Sequence, residues 1–319
     1  MGPFTVVPVW VIQDVIVLIL GVLTTLFIVR HEERPAPILL EFVCFVFLNA
    51  AVYENFATLM GWYGYGRSIL MIFNVPLTIP ILEYLVVYAA LRLLGTMDIR
   101  TWCKPFIVGA LGMLADLSLD PLAVRQVFRT QEGTIGRWTW YYATGAVNIL
   151  NIPVYNFSGW VLLCGYAAAA LLLGRWWYRK SGWRSSVGYI YPVLSMLLAL
   201  GILVTPLSQF LLWLGPLMTK GSAAEWIMMG THLVVATVLL AVFWRGRMLR
   251  RLSFREDMPV FVVFITSHVS NVVFALAGGF YQILWLQILA AVVEIGLILF
   301  IAARGRALPS DPVQLTGST

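Results

Sequence analysis

Between Leu111 and Trp160 the chain sets acids, an amide and cations at the ends of greasy segments: LGMLADLSLDPLAVRQVFRTQEGTIGRWTWYYATGAVNILNIPVYNFSGW. Asp116 and Asp120 are four residues apart, which puts both on one face of a helix. Two acids that close resist double ionisation, and the proton they keep is available for transfer. Glu83 lies seven residues into an apolar run that begins near Pro76, about 10 Å deep at about 1.5 Å per residue. Glu54 and Asn55 sit near the outer end of the preceding run, and Asn156 falls in the first turn of the run that follows. An ionisable group inside a membrane span is costly and marks a functional site by default. The chemistry such a set could do is proton transfer, that is, general acid–base catalysis.

The elements that must position these groups are apolar helices. Of 319 residues, 61% are hydrophobic and 11% charged, against roughly a quarter charged in a soluble domain. One globule cannot bury that much apolar surface, and a β-barrel would show short alternating strands instead of long runs. The sequence predicts an all-α, polytopic transmembrane bundle in the cell membrane. It has nine spans, at 8–29, 37–60, 74–95, 104–119, 156–178, 188–215, 226–245, 259–278 and 281–303. The segment 137–150 is rich in Trp and Tyr and too short to cross, so it is expected to lie in the interface or to re-enter. The first run lacks a basic flank and reads as a span, not a cleavable signal. Sixteen of the 21 Lys and Arg fall in the odd-numbered loops and the tail. That bias puts the N-terminus outside and the C-terminus in the cytoplasm. Residues 1–306 read as one transmembrane domain, and 307–319 as a polar, disordered tail. The net charge of +6 thus serves orientation in the lipid bilayer, and no nucleic-acid partner is expected.

Structural roles remain open beside the chemical ones. Asp120 before Pro121 fits a helix N-cap. Asp116 could pair with Arg125 or Arg129, and Asn156 could cap the fifth span. Asp14 and His232 also fall in the outer half. His232 and His268 read as packing residues, and Glu294 lies in the inner half. Cys44, Cys103 and Cys164 show no metal spacing and read as packing residues. Three scattered histidines and the lack of a Gly-rich phosphate loop point to no metal and no nucleotide cofactor.

Four stretches carry a resemblance: PLTIPILEYLVVYAALRL (76–93), LADLSLDP (114–121), WTWY (138–141) and IPVYNFSGW (152–160). Together they resemble the membrane carotenoid-biosynthesis proteins of the CruF type, which are carotenoid 1′,2′-hydratases. The resemblance implies a cofactor-independent hydratase acting on a carotenoid or other long isoprenoid, and association with other enzymes of that pathway. Adding water at an acyclic end needs a proton donor, a base, a placed water and aromatic faces against a cation. On this reading Asp116 or Glu83 is the acid, and Asp120 or Glu54 the base. Asn55 and Asn156 position water, and Tyr84, Trp138, Trp140, Tyr141 and Trp160 contact substrate. Two readings compete. Proline-broken helices at Pro76, Pro80 and Pro206 with membrane acids would suit a transporter for a lipid or small solute, although no strong internal repeat is visible. A carotenoid-binding protein without catalysis would show the same apolar stripes.

Overall fold

The computed structural model describes residues 8–130, 133–205, 221–244 and 246–306. Among them are nine helices long and apolar enough to cross a membrane, and the chain is a multi-pass membrane protein. They are α1 (Trp10–His31), α2 (Pro35–Leu59), α3 (Thr78–Gly95), α4 (Lys104–Ala123), α5 (Val154–Lys180), α6 (Ser185–Leu203), α7 (Ala224–Trp244), α8 (Met258–Ala277) and α9 (Leu284–Arg306). The expected part of the sixth span beyond Thr205, with Pro206, and the tail 307–319 lie outside the described residues.

Burial ranks the helices. The most apolar window of α3 is 89% buried and that of the fourth span 83%, against 17% for α7. In α3 only Arg92 and Gly95 escape burial. Such a helix needs protein on every side, so α3 and α4 form the centre and carry Glu83, Asp116 and Asp120. Close packing of α4 on α5 depends on two glycines. A Cβ on Gly109 would stand 2.5 Å from the Val161 carbonyl oxygen, and one on Gly112 2.6 Å from Cys164 Sγ. Small residues at such seams let membrane helices approach. Gly109→Ala is therefore expected to force α4 from α5 and lower the amount of folded protein, read by detergent size-exclusion chromatography. An unchanged monodisperse yield would contradict this.

α2 is not regular. Phe45–Ala50 is a π-helical stretch, which inserts a residue and re-aims the turns beyond it. After it, Glu54 meets α3. The proline-broken helices expected for a transporter are not found at Pro76 and Pro80. Pro76 lies in a strand and Pro80 in the first turn of α3, where no N–H is required. The Asp120 N-cap is likewise corrected: α4 runs through Asp120 and Pro121 to Ala123. Arg125 does not pair with Asp116 but donates from Nη1 to the Pro121 and Leu150 carbonyls, at 2.8 and 3.0 Å. It thereby closes the C-terminus of α4.

The purely α-helical expectation needs one amendment. Among the described residues eight short strands form four antiparallel pairs, all in connections at one end of the bundle: β1 (Tyr63–Tyr65) with β6 (Trp138–Trp140), β2 (Met71–Ile72) with β3 (Val75–Pro76), β4 (Val127–Thr130) with β5 (Gly133–Gly136), and β7 (Asn148–Ile149) with β8 (Ile152–Pro153). The aromatic part of 137–150 is thus a strand laid on β1, with Tyr63 opposite Trp140 and Tyr65 opposite Trp138. Backbone bonds join connections within each end. At the strand end, Val147 N–H reaches the Gly221 carbonyl at 2.9 Å. At the other, which we call the arginine end, Asp98 N–H meets the Arg247 carbonyl at 3.0 Å and Leu249 N–H that of Thr96 at 2.9 Å. Cys44, Cys103 and Cys164 are free and buried, as expected for packing residues.

Candidate active site

Under the β1–β6 ribbon four acids from three helices meet. Glu54, Glu83, Asp116 and Asp120 are 6%, 1%, 0% and 0% exposed, so water reaches none of them freely. Glu54 and Glu83 are in side-chain hydrogen-bonding contact, as are Asp116 and Asp120. Glu54 also interacts electrostatically with both aspartates, which makes one cluster of the two pairs. Contact between two buried carboxyls requires a proton between them, since two carboxylates would repel in a medium of low polarity. One oxygen each of Glu83, Asp116 and Asp120 receives no N–H or O–H.

The neutral donors around the cluster are few and directed. Asn156 Nδ2 donates to Oδ2 of Asp116 and of Asp120, at 2.7 Å each. Asn156 is therefore not the cap of α5, which begins two residues earlier behind Pro153. Glu54 Oε2 accepts from Tyr63 Oη at 2.7 Å and Tyr65 Oη at 2.5 Å. Burial first, then the Glu54 charge, pushes both phenols well above the ordinary phenol range, so they remain donors. The tyrosines sit two apart on β1 and so share a face. Trp138 and Trp140 do the same on β6. Trp138 stands edge-on to Tyr65 at 5.3 Å between ring centroids, and Trp140 lies against Tyr63 at 4.6 Å. The result is an aromatic roof over acids.

A buried cation braces this roof. Arg137, 6% exposed, donates from Nη1 to Gln13 Oε1 at 2.6 Å and Gln126 Oε1 at 3.0 Å, and its Nη2 is 3.8 Å from Asp14 Oδ1. Asp14 also accepts the hydroxyls of Ser68 and Thr78. Burial lowers the Arg137 pKa, while Asp14 and then Asp120 raise it again. The back half of the chain supports α4 from behind: Asn271 Nδ2 donates to Ser118 Oγ at 3.3 Å and Gln287 Nε2 to the Ser118 carbonyl at 2.9 Å.

A family model described as carotenoid biosynthesis protein matches residues 13–219. The chain belongs to the carotenoid biosynthesis protein family. The match spans the whole acid cluster, its aromatic roof and Arg137, and stops before α7. No curated protein and no solved structure matches the chain.

In this carotenoid biosynthesis protein the expected site residues divide. Glu54, Glu83, Asp116, Asp120, Asn156, Trp138 and Trp140 come together. Tyr84 does not: one residue along a helix turns the side chain about 100°, and it stacks on Phe42 at 4.8 Å near Glu41 and Arg175. Asn55 likewise turns from its neighbour Glu54, donating to the Ile72 carbonyl and accepting from Asn74 N–H, so it pins the β2–β3 turn. Tyr141 is 56% exposed at the end of β6. Trp160 lines a narrow crevice together with Arg137 and residues of α1, α3, α4 and α8, and none of the four acids lines it. Sequence reasoning missed Tyr63, Tyr65, Gln13 and Gln126 and treated Arg137 only as a loop charge. Period-two aromatics in YGY and WTW were the available signal for the ribbon.

Outside the cluster, a cavity of about 900 Å³ runs along α5 from Val161 to Arg179, walled by the start of α4 and by α7. The eighteen helical steps between those residues make it about 27 Å long. Trp102, Phe106, Tyr166, Trp176 and Met228 are among its lining residues. Cys164, beside the lining residue Gly165, interacts with Glu83 and Asp116. One helix thus separates groove from acids. Of the histidines, His232 lines this groove, and His268 bonds Glu294 at 2.6 Å, away from the cluster.

Proposed function

We propose that this chain is a 1′,2′-hydratase acting on an acyclic carotenoid end. The observation that carries the reading is the buried four-acid cluster, with its directed donors, in a member of a carotenoid biosynthesis family. Glu54 takes two phenol donors and Asp120 faces Arg137, whereas Asn156 serves both aspartates alike. We assign the charged carboxylates to Glu54 and Asp120 on those partners. Glu83 and Asp116 then hold the shared protons. A proton leaves Glu83 or Asp116 for C2′, the double-bond electrons form the new C–H bond, and a tertiary cation remains at C1′. Water adds at C1′ and gives its surplus proton to Glu54 or Asp120. The sum is one water added, with no oxidant, reductant or nucleotide. The faces of Trp140 and Tyr63 suit a passing cation.

The groove along α5 suits a polyene in length and lining, and α4 and α5 must part at their glycine seam for its end to reach Asp116. Ala169 is exposed in the groove wall. Ala169→Trp is expected to raise KM about tenfold with kcat little changed, because it removes binding distant from the chemistry. A change in kcat alone would contradict this. The orientation we propose is N-terminus outside, with the acids in the outer leaflet. A reporter fused after Arg304 should then read as cytoplasmic and one inserted at exposed Gly145 as external; the reverse result would overturn it.

The deciding test is co-expression with enzymes that make an acyclic-ended carotenoid. The expected product gains one water in mass and becomes more polar on chromatography, and purified protein retains activity in chelator. Unaltered pigment that co-purifies with the protein would favour a carotenoid-binding role instead.

A further inference from the structure

The arginine end holds a second cavity, of about 670 Å³, unconnected to the acid cluster. Its wall carries six arginines, namely Arg30, Arg34, Arg92, Arg175, Arg179 and Arg250, against Glu32, Glu33 and Glu256. Three of the cations are committed. Arg175 forks onto buried Glu41, with Nε to Oε1 at 2.8 Å and Nη2 to Oε2 at 2.5 Å, and Tyr191 Oη holds the same carboxylate at 2.7 Å. Arg92 bonds Glu32 at 2.8 Å and lies over the Phe27 ring. Arg250 grips buried Asp257 at 2.6 and 2.7 Å. The other three, Arg30, Arg34 and Arg179, meet no carboxylate within ion-pair distance among the described residues. Arg34 is steadied instead by the Trp183 ring, 4.7 Å below its guanidinium.

Arginines that serve only as topological anchors need no cavity and spread into solvent. Here they line a concavity, some locked by buried carboxylates and three left without one. The locked guanidiniums fix the wall, and the three unpaired ones exceed the remaining wall carboxylates, Glu33 and Glu256, by one positive charge and present planar donor forks. Multidentate forks of this kind match phosphate oxygens. The aromatic rings of Trp183, Tyr178 and Tyr191 lie on the same wall, as suits a position at the membrane boundary.

We propose that this cavity binds a phosphate group, brought either by the headgroup of an anionic lipid or by a soluble phosphate compound. The proposal does not rest on the hydratase reading, although Arg179 also borders the groove along α5. The test uses the full-length protein in two arms. In one, protein in nanodiscs containing phosphatidylglycerol is analysed for retained lipid by native mass spectrometry. In the other, inorganic diphosphate is titrated calorimetrically into protein in phosphatidylcholine nanodiscs. The variants are Arg34→Gln with Arg179→Gln, which break no ion pair, and Arg255→Gln as an exposed control outside the cavity. Binding in either arm should fall at least about tenfold in the double variant and hold in the control. Retained phosphatidylglycerol identifies a lipid site, and saturable diphosphate binding a soluble one. No binding in either arm overturns the proposal, as does binding that the double variant leaves unchanged or the control weakens equally.

Discussion

Glu83→Gln and Asp116→Asn should each lower hydration at least about a hundredfold, the lower range for loss of a general acid. Each amide keeps nearly the shape of the acid and removes the proton to be given away. Folding should not suffer. Glu83 contacts Glu54, and Asp116 contacts Asp120 and the Asn156 amide. An amide can donate to the neighbouring carboxylate without needing a proton shared between two acids. Detergent-stable yield should therefore match that of the parent while product formation collapses. Two controls sharpen this. Tyr84→Phe removes one 3.3 Å bond to the Ile38 carbonyl on the far side of α3, and Asn55→Ala loosens a surface turn. Both should hydrate at near-normal rates. Near-normal turnover in both acid variants would leave the cluster a structural feature and sink the mechanism.

Those controls mark the border of what the sequence made legible. Hydropathy gave the spans, because apolar length and helix rise are both set by the bilayer. Depth followed from counting residues, which is why acids from α2, α3 and α4 were expected at one level and are found together. Azimuth was harder. Tyr84 and Asn55 share depth with Glu83 and Glu54 but point elsewhere, since adjacent helical residues diverge by about 100°. The π-helical stretch in α2 shifts the azimuth of Glu54 once more and leaves no plain mark in the sequence. The strands were hidden for another reason. Ladders of two to four residues are too short for a pattern to stand out, and the β1–β6 ribbon joins segments more than seventy residues apart. Tyr63 and Tyr65 could not be placed over Glu54 without that pairing. Asp120 before Pro121 obeyed a capping rule that α4 overrides by continuing one further turn.

Arg137 is where that hidden structure should cost most. Arg137→Met is expected to destabilise the protein by about 3–5 kcal/mol, the usual penalty for removing one partner of a buried charge pair. Asp14, 2% exposed, would keep only the Ser68 and Thr78 hydroxyls. Gln13 and Gln126 would lose a shared donor, although Gln126 Nε2 still reaches Gln13 Oε1 at 2.7 Å. The backbone adds leverage. Arg137 N–H bonds the Gln126 carbonyl at 2.8 Å and its own carbonyl takes Gly66 N–H at 2.7 Å, so the residue ties α1, the β4–β5 hairpin and the β1–β6 ribbon together. Adding Asp14→Asn to Arg137→Met removes the stranded charge and should recover most of the lost stability in a denaturation titration. Activity should not recover with it. Arg137 also faces Asp120, and without that cation one of the two carboxylates proposed to accept the final proton loses a facing positive charge. The double variant is thus expected to be folded with reduced kcat. If the two substitutions instead cost stability additively, Arg137 and Asp14 are not coupled. A double variant with full activity would remove Arg137 from the proposed base.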